Sequence, residues 1–278
     1  MKELFDKVSI RSSRITTHAY STSFSMGIRC LEKELRDPIY SIYGFVRFAD
    51  EIVDTFHEFD KKKLLHQFKM DTFQSIQQGI SLNPILNSFQ STVNRFGIER
   101  SLIEQFFKSM EMDLAKISHD ENSFKEYILG SAEVVGLMCL RIFCKGDMVM
   151  YDNLMPYAMR LGSAFQKINF LRDLQADYTG MGRTYFPGLI IDQFDDNGKK
   201  RIEDNIKADF DEGLKGIKKL PRSARFGVYV AYVYYRALFK KIRNMPFESI
   251  LQNRISIRKR HKARLLALSF VKHQLNLL

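Results

Sequence analysis

Apolar side chains recur along this chain at three- and four-residue steps, while runs of strict alternation are scarce and short. That spacing lays one apolar stripe along a helix and gives a strand no buried face of its own. With only 6 prolines to interrupt it, the pattern predicts an all-α fold. Breaks are expected near Arg36-Asp37-Pro38, Ser81 to Pro84, Phe96-Gly97, His119 to Ser123, Lys145-Gly146-Asp147, Thr179 to Gly182, Asp195 to Gly198 and Leu220-Pro221. Proline, glycine and capping residues gather there. No long Ser/Gly/Pro linker, fixed-period repeat or low-complexity tract appears, so residues 1–278 are expected to share one large core as a single domain.

Lys plus Arg outnumber Asp plus Glu by 43 to 32, a formal charge of +11. The balance favours an anionic partner, be it nucleic acid, anionic lipid or a phosphorylated small molecule, without choosing among them. The N-terminal MKELFDKVSIRSSR holds no apolar run long enough for a signal-peptide core, and no later segment reads as a membrane span, so a soluble cytoplasmic protein is expected. Cys30, Cys139 and Cys144 form no CxxC pair and their odd number leaves no complete disulfide framework, which predicts buried thiols. P-loop, GxSxG, HExxH and usable GxGxxG patterns are all lacking, leaving the common NTPase, hydrolase, zincin and dinucleotide-binding chemistries without support.

Against this basic background, YGFVRFADEIVDTFHEFD (43–60) concentrates acid. Wound as a helix, it sets Phe45, Phe48, Ala49, Ile52, Val53 and Phe56 on one side and Arg47, Asp50, Glu51, Asp54 and Glu58 on the other. Carboxylates four residues apart repel by only about 0.2–0.5 kcal/mol on an exposed helix, so a solvated face explains an isolated stripe of this kind. The device recurs in FQKINFLRDLQADYTGMGRTYFP (165–187), where Gln166, Asn169, Asp173 and Asp177 follow the same steps and Leu161, Phe165, Ile168 and Leu171 supply an apolar side. Two such stripes across a cavity would suit Mg²⁺, which takes oxygen ligands and is commonly held by one or two carboxylates plus substrate phosphates. Arg47 and Arg183 would then add bidentate contacts to a diphosphate.

At these residues the sequence resembles the squalene and phytoene synthase family, the prenyltransferases that join two prenyl diphosphates head to head. YGFVRFADEIVD resembles the first aspartate-rich motif of that family and the 165–187 stretch the second, with its Asn-x-x-Arg-Asp core and the following Arg-x-Tyr. YSTSFSMG (20–27) resembles its N-terminal Ser-x-Ser-Phe flap, which closes an N-terminal segment, residues 1–27. SMEMDL (109–114) and YILGSAEVVGLMC (127–139) resemble its two mid-chain segments.

The resemblance implies a single-domain isoprenoid-synthase bundle around a central cavity. Asp50, Asp54, Asn169, Asp173 and Asp177 would hold Mg²⁺, with Mn²⁺ as the alternative ion. Arg47, Ser23, Tyr43, Gln166, Asn169 and Arg183 would line the diphosphate region, Tyr127, Ala132, Val135 and Gly136 the reacting carbons and prenyl channel, and Tyr235 the diphosphate end. The implied reaction ionises one prenyl diphosphate, forms a cyclopropylcarbinyl diphosphate with the second, and rearranges that intermediate. Two geranylgeranyl diphosphates are the expected substrates and no NADPH is then consumed; two farnesyl diphosphates are the alternative. Departures from the pattern fall at Leu129, where a second tyrosine is common, at Thr22, where some relatives carry a basic residue, and at Gln175-Ala176 before the last aspartate.

Other readings stay beside this one. Asp113 reads either as a further acid of the metal region or as an ion-paired helix carboxylate, and His57 and His119 read as polar surface or loop residues. The run RISIRKRHKAR (254–264) reads as a solvated basic face or as a peripheral contact with the membrane that receives an oily product. Nucleic acid is not an expected partner of the enzyme. Lacking a membrane-spanning tail after this run, the chain is expected to serve a bacterial carotenoid or hopanoid route. The non-catalytic alternative, a basic helical binding protein with solvated acidic stripes, predicts that Asp50 and Asp173 can be neutralised without loss.

Overall fold

The protein was analysed as a computed structural model, which describes residues 1–115, 118–188, 196–251 and 255–275. Among the described residues thirteen α-helices follow in chain order: α1 (Lys2–Tyr20), α2 (Thr22–Arg29), α3 (Lys33–Asp54), α4 (Lys61–Gln78), α5 (Pro84–Phe96), α6 (Arg100–Ala115), α7 (Glu121–Ile128), α8 (Val134–Cys144), α9 (Met148–Met181), α10 (Asp196–Lys219), α11 (Arg222–Arg243), α12 (Phe247–Ile250) and α13 (Lys259–Gln274). A π-helical turn, Leu129–Glu133, joins α7 to α8. Among the described residues the only β-pairing is an isolated bridge between Ser118 and Thr184.

Most of the expected breaks mark real helix ends, because the residues there do the capping. Asn83 accepts from the amides of Ile85 and Leu86 ahead of Pro84, Asp120 and Ser123 form a reciprocal capping box, and Gly97 and Gly182 close α5 and α9 in the left-handed conformation. One expected break is absent. Helix α3 runs straight through Pro38, which lies in the buried face with Leu35, Ile39 and Ile42. A proline near a helix start forfeits few bonds, and burial of the surrounding apolar face outweighs that loss. The acidic helix also ends earlier than expected, at Asp54, so Phe56 and Glu58 lie beyond it. Phe48 is exposed, leaving Phe45, Ala49, Ile52 and Val53 as the core side. Of the remaining expectations, Asp195 and Arg254 lie outside the described residues.

Two apolar clusters build the interior. In the first, Phe45 stacks on Phe89 with ring centroids 3.8 Å apart, and Phe68, Phe106 and Phe107 surround the pair. The second gathers Ile168, Phe170, Leu171 and Leu174 of α9 with Phe210 of α10 and Tyr232 and Phe239 of α11. Helices α9 and α10 pack along much of their lengths, and α8 and the π-helical turn pack on another side of α9. The continuous stretch Glu121–Cys144 is long and apolar enough by composition to cross a membrane, contrary to the expectation from sequence, and 61% of its apolar window is buried inside the bundle. A helix whose apolar surface is largely covered by its own chain meets the same compositional test as a membrane span. All three cysteines are free thiols, with Cys144 buried and Cys30 and Cys139 half-buried.

Candidate active site

A cavity of about 480 Å³ opens between the two clusters and is lined by residues from both. Leu31, Ile39, Leu140, Phe143, Leu154 and Leu220 give it apolar walls, and Asp50, Asp54, Asp113, Asp173 and Asp177 give it one acidic region. Both carboxylate stripes therefore meet the same space, Asp50 and Asp54 from α3 and Asp173 and Asp177 from α9. Tyr43, Arg47, Tyr127, Ala132, Val135, Gly136, Gln166, Asn169 and Tyr235 line it too. Ser23 and Arg183, expected at the diphosphate, are not among the residues that line it. The apolar side expected for the second stripe divides: Ile168 and Leu171 are buried in the core, whereas Leu161 and Phe165 face the cavity.

Arg47, Arg183 and Asn169 have partners within the protein. Arg47 pairs with Glu51, lies 3.9 Å from Asp50 and stacks 4.2 Å over the Tyr20 ring. Arg183 donates to Asp54 at 3.0 Å and to the Asp113 carbonyl at 2.8 Å, which makes it a clamp that holds Asp54 toward the cavity. Asn169 donates to Gln166 at 3.2 Å and accepts from the Tyr235 hydroxyl at 3.1 Å. The Tyr235 ring stacks on Phe165 with centroids 4.1 Å apart.

Burial shapes the acidity. The Asp50 carboxyl is pushed up to about 8 by burial and by the neighbouring Asp54 charge, against the pull of Arg47. Asp177 is raised to about 7 by burial and by Asp173, and Asp113 to about 7 by burial, even though Tyr127 and Arg183 oppose the shift. Asp54 is also raised by burial, with Arg183 working against it, and burial takes the Tyr43 hydroxyl to about 12. Carboxyls of the unfolded chain titrate near 4, so the folded protein holds these protons more tightly. Their contribution to stability is fully present below about pH 4 and is lost as pH rises toward 7 or 8. The Tm of metal-free protein should accordingly fall across that window in a thermal melt series, and Mg²⁺ with inorganic diphosphate should flatten the fall.

Arg172 and Lys262 were not singled out from sequence, and Asp113 and His119 take more definite places than their sequence readings gave them. Asp113 is both the cavity acid and the partnered carboxylate: it accepts from the hydroxyls of Tyr127 at 2.7 Å and Tyr185 at 3.4 Å. His119, expected in a polar loop, is buried and packs against the rings of Tyr127 and Tyr185. Arg172 lines the cavity and holds Asp173 through Nε at 3.0 and 3.1 Å; the Asn-x-x-Arg-Asp core was its signal. Lys262, within the basic run, donates at 2.8 Å to both Thr22 and Ser23. The flap is thus a short helix, α2, pinned from α13. Leu129 opens the π-helical turn and packs against the first core cluster.

An all-α bundle with two acidic helices facing a large cavity is the fold of the isoprenoid synthases. A solved dehydrosqualene synthase superposes with a TM-score of 0.82 at 18% identity, covering 97% of this chain and 98% of its own. A squalene synthase from Alicyclobacillus acidocaldarius superposes at 0.75 and 22% identity, over 86% and 94% of the two chains. The model of the squalene/phytoene synthase family matches residues 17–261, and the chain belongs to that family. It is 30% identical over 175 residues to presqualene diphosphate synthase of Rhodopseudomonas palustris, covering 62% of this chain and 61% of the relative. Phytoene synthase 1 of Solanum lycopersicum is 26% identical over 80% of this chain and 58% of its own. The chain thus spans about three fifths of the length of these two relatives. A 4,4'-diapophytoene synthase of Staphylococcus haemolyticus, 24% identical, aligns over 87% of this chain and 90% of its own.

Proposed function

We propose that this chain is a Mg²⁺-dependent prenyltransferase that condenses two molecules of geranylgeranyl diphosphate head to head into phytoene. The observation that carries the reading is the joint placement of both carboxylate stripes at one region of a long apolar cavity. Between Tyr157 and Asp173, both on the cavity wall, α9 rises by about 24 Å at 1.5 Å per residue. Helix α3 rises by about 22 Å between Ile39 and Asp54. That span supports the reading of an extended C20 chain with its diphosphate among the acids. The near full-length alignment with a 4,4'-diapophytoene synthase supports two farnesyl diphosphates as the second reading.

The donor set fits a hard divalent ion, since Asp50, Asp54, Asn169, Asp173 and Asp177 offer oxygen alone. Among the described residues no three His, Cys, Asp or Glu side chains form a ready-made metal cluster. Mg²⁺ does not need one, because one or two carboxylates with phosphate oxygens and water complete its shell. When bound, the ion supplies charge stabilisation for the departing diphosphate. The protein's own part is placement. Arg47 and Arg172 set positive charge beside the diphosphate, Gln166 and Asn169 orient it, and Tyr235 holds Asn169 in place. Phe24, Phe165 and Phe170 line the cavity and would keep water from the allylic cation.

Incubation of purified protein with Mg²⁺ and either geranylgeranyl or farnesyl diphosphate, with and without NADPH, followed by mass analysis of apolar products, tests this. A C40 triene formed without NADPH is expected. A C30 product would move the substrate to farnesyl diphosphate, and no coupled product from either would remove the proposal.

The proposed site of product release is an anionic membrane surface met by α13. There Leu268, Phe270 and Val271 stand exposed beside Lys259, Arg260, Arg264 and Lys272. Sedimentation with anionic vesicles, weakened by salt and absent with zwitterionic vesicles, is the expected result; equal recovery in both pellets would exclude the charge-based contact.

A further inference from the structure

The face of α9 turned away from the cavity carries a buried ionic cluster that the proposed reaction does not use. Arg160, Ser163 and Lys167 follow one another at three- and four-residue steps, and all three bond one acid, Asp209 of α10. The distances are 3.1 Å from Arg160, 3.1 Å from Ser163 and 2.6 Å from Lys167. Lys167 also donates to Asn205 at 2.6 Å. The side chains of Asp209 and Lys167 are 2% and 9% exposed. None of these residues lines the cavity.

A buried ion pair adds little net stability compared with apolar residues of the same shape, so holding the fold together does not account for it. Its setting points to another task. Apolar side chains are distributed around α9: Leu161 and Phe165 face the cavity, Ile168, Leu171 and Leu174 the core. Apolar burial therefore selects the rotation of this helix weakly. Yet Gln166 and Asn169 flank Lys167 in sequence, and their direction depends on that rotation. Groups of an active site need to be held within about 0.5 Å and 10–20° of their working geometry.

We propose that the Lys167–Asp209 pair, with Ser163 and Asn205, is a positioning device that sets the rotation of α9 and so aims Gln166, Asn169 and Asp173 into the cavity. The activity readout below rests on the proposed prenyl coupling; the structural readout does not. In the double variant Lys167→Met/Asp209→Leu both charges of the buried pair leave together; Arg160, 59% exposed, stays solvated, and Glu133, already raised to about 7 by burial, shifts further to its neutral form without the Lys167 charge. We expect it to fold with a Tm near or above that of the parent protein, yet to lose roughly 10²-fold in kcat, the scale of a 1 Å misplacement. KM should rise less than kcat falls, because the apolar walls that hold the prenyl tails are intact. The thermal shift given by Mg²⁺ with inorganic diphosphate should shrink. A crystal structure of the double variant should show the Asn169–Tyr235 hydrogen bond broken or displaced. Asp209→Asn, which keeps the shape but leaves the buried Lys167 ammonium facing an amide, is the second variant; it should lower Tm, unlike the double variant, and show an intermediate loss of kcat. Parental kcat and diphosphate shift in both variants, or an unmoved Asn169–Tyr235 bond in the crystal, would overturn the proposal. If the parent protein itself couples no prenyl diphosphate, the functional reading falls while the crystallographic comparison still decides this one.

Discussion

Replacing Asp50 with Asn is expected to slow prenyl coupling by roughly 10²–10³-fold, the scale on which one lost group at a developing transition-state charge is felt. The same variant should be no less stable than the parent at neutral pH. Burial and the Asp54 charge push the Asp50 carboxyl up to about 8, so at neutral pH it is already largely protonated and an amide of the same shape replaces a neutral group. Loss of rate with retained or raised Tm is what separates a functional carboxylate from a structural one. Asp173→Asn should show a comparable loss of rate from the other stripe, with a smaller margin of stability because Arg172 would lose its charged partner. Parental turnover in both variants, measured with Mg²⁺ and geranylgeranyl diphosphate at saturation, would return the stripes to the status of solvated helix faces.

Gly162→Ala is expected to cost stability and activity together. A Cβ at that position would stand 2.7 Å from the Ala132 carbonyl oxygen and 3.2 Å from the Glu133 Cα. Those atoms are backbone of the π-helical turn, so no side chain can swing aside, and α9 has to retreat. Overpacking of this kind costs about 1–3 kcal/mol, which for a chain of this size lowers Tm by about 2–4 °C per kcal/mol. Coupling should fall as well, because Ala132 and Gly162 both line the cavity. An unchanged Tm in a thermal melt would show that the contact between α9 and the turn is elastic.

The helical character of the chain and most helix ends were legible in the sequence, because both follow from neighbours three or four positions apart. Asp50 and Asp54 share a helix face by that rule, as do Gln166, Asn169 and Asp173, and all of them reach the cavity. Misreadings arose where burial overrode a local signal. Pro38 stays inside α3 because its surroundings are core, and Leu161 and Phe165 face a cavity that apolar spacing cannot distinguish from packed interior. The Glu121–Cys144 stretch shows the same limit, since composition is blind to what covers a helix.

Local spacing decides which side chains share a face; the folded bundle decides what each face meets. Arg183 clamps Asp54 across 129 positions of chain, and Lys262 reaches Ser23 across 239. No period in the sequence links such pairs, because their contact depends on how helices far apart in the chain pack. The two acidic stripes could be read residue by residue. That they open on one cavity, with Asp113 and Tyr127 on the same wall and Arg183 bonded to Asp54, was settled only by the packing of the two apolar clusters around it.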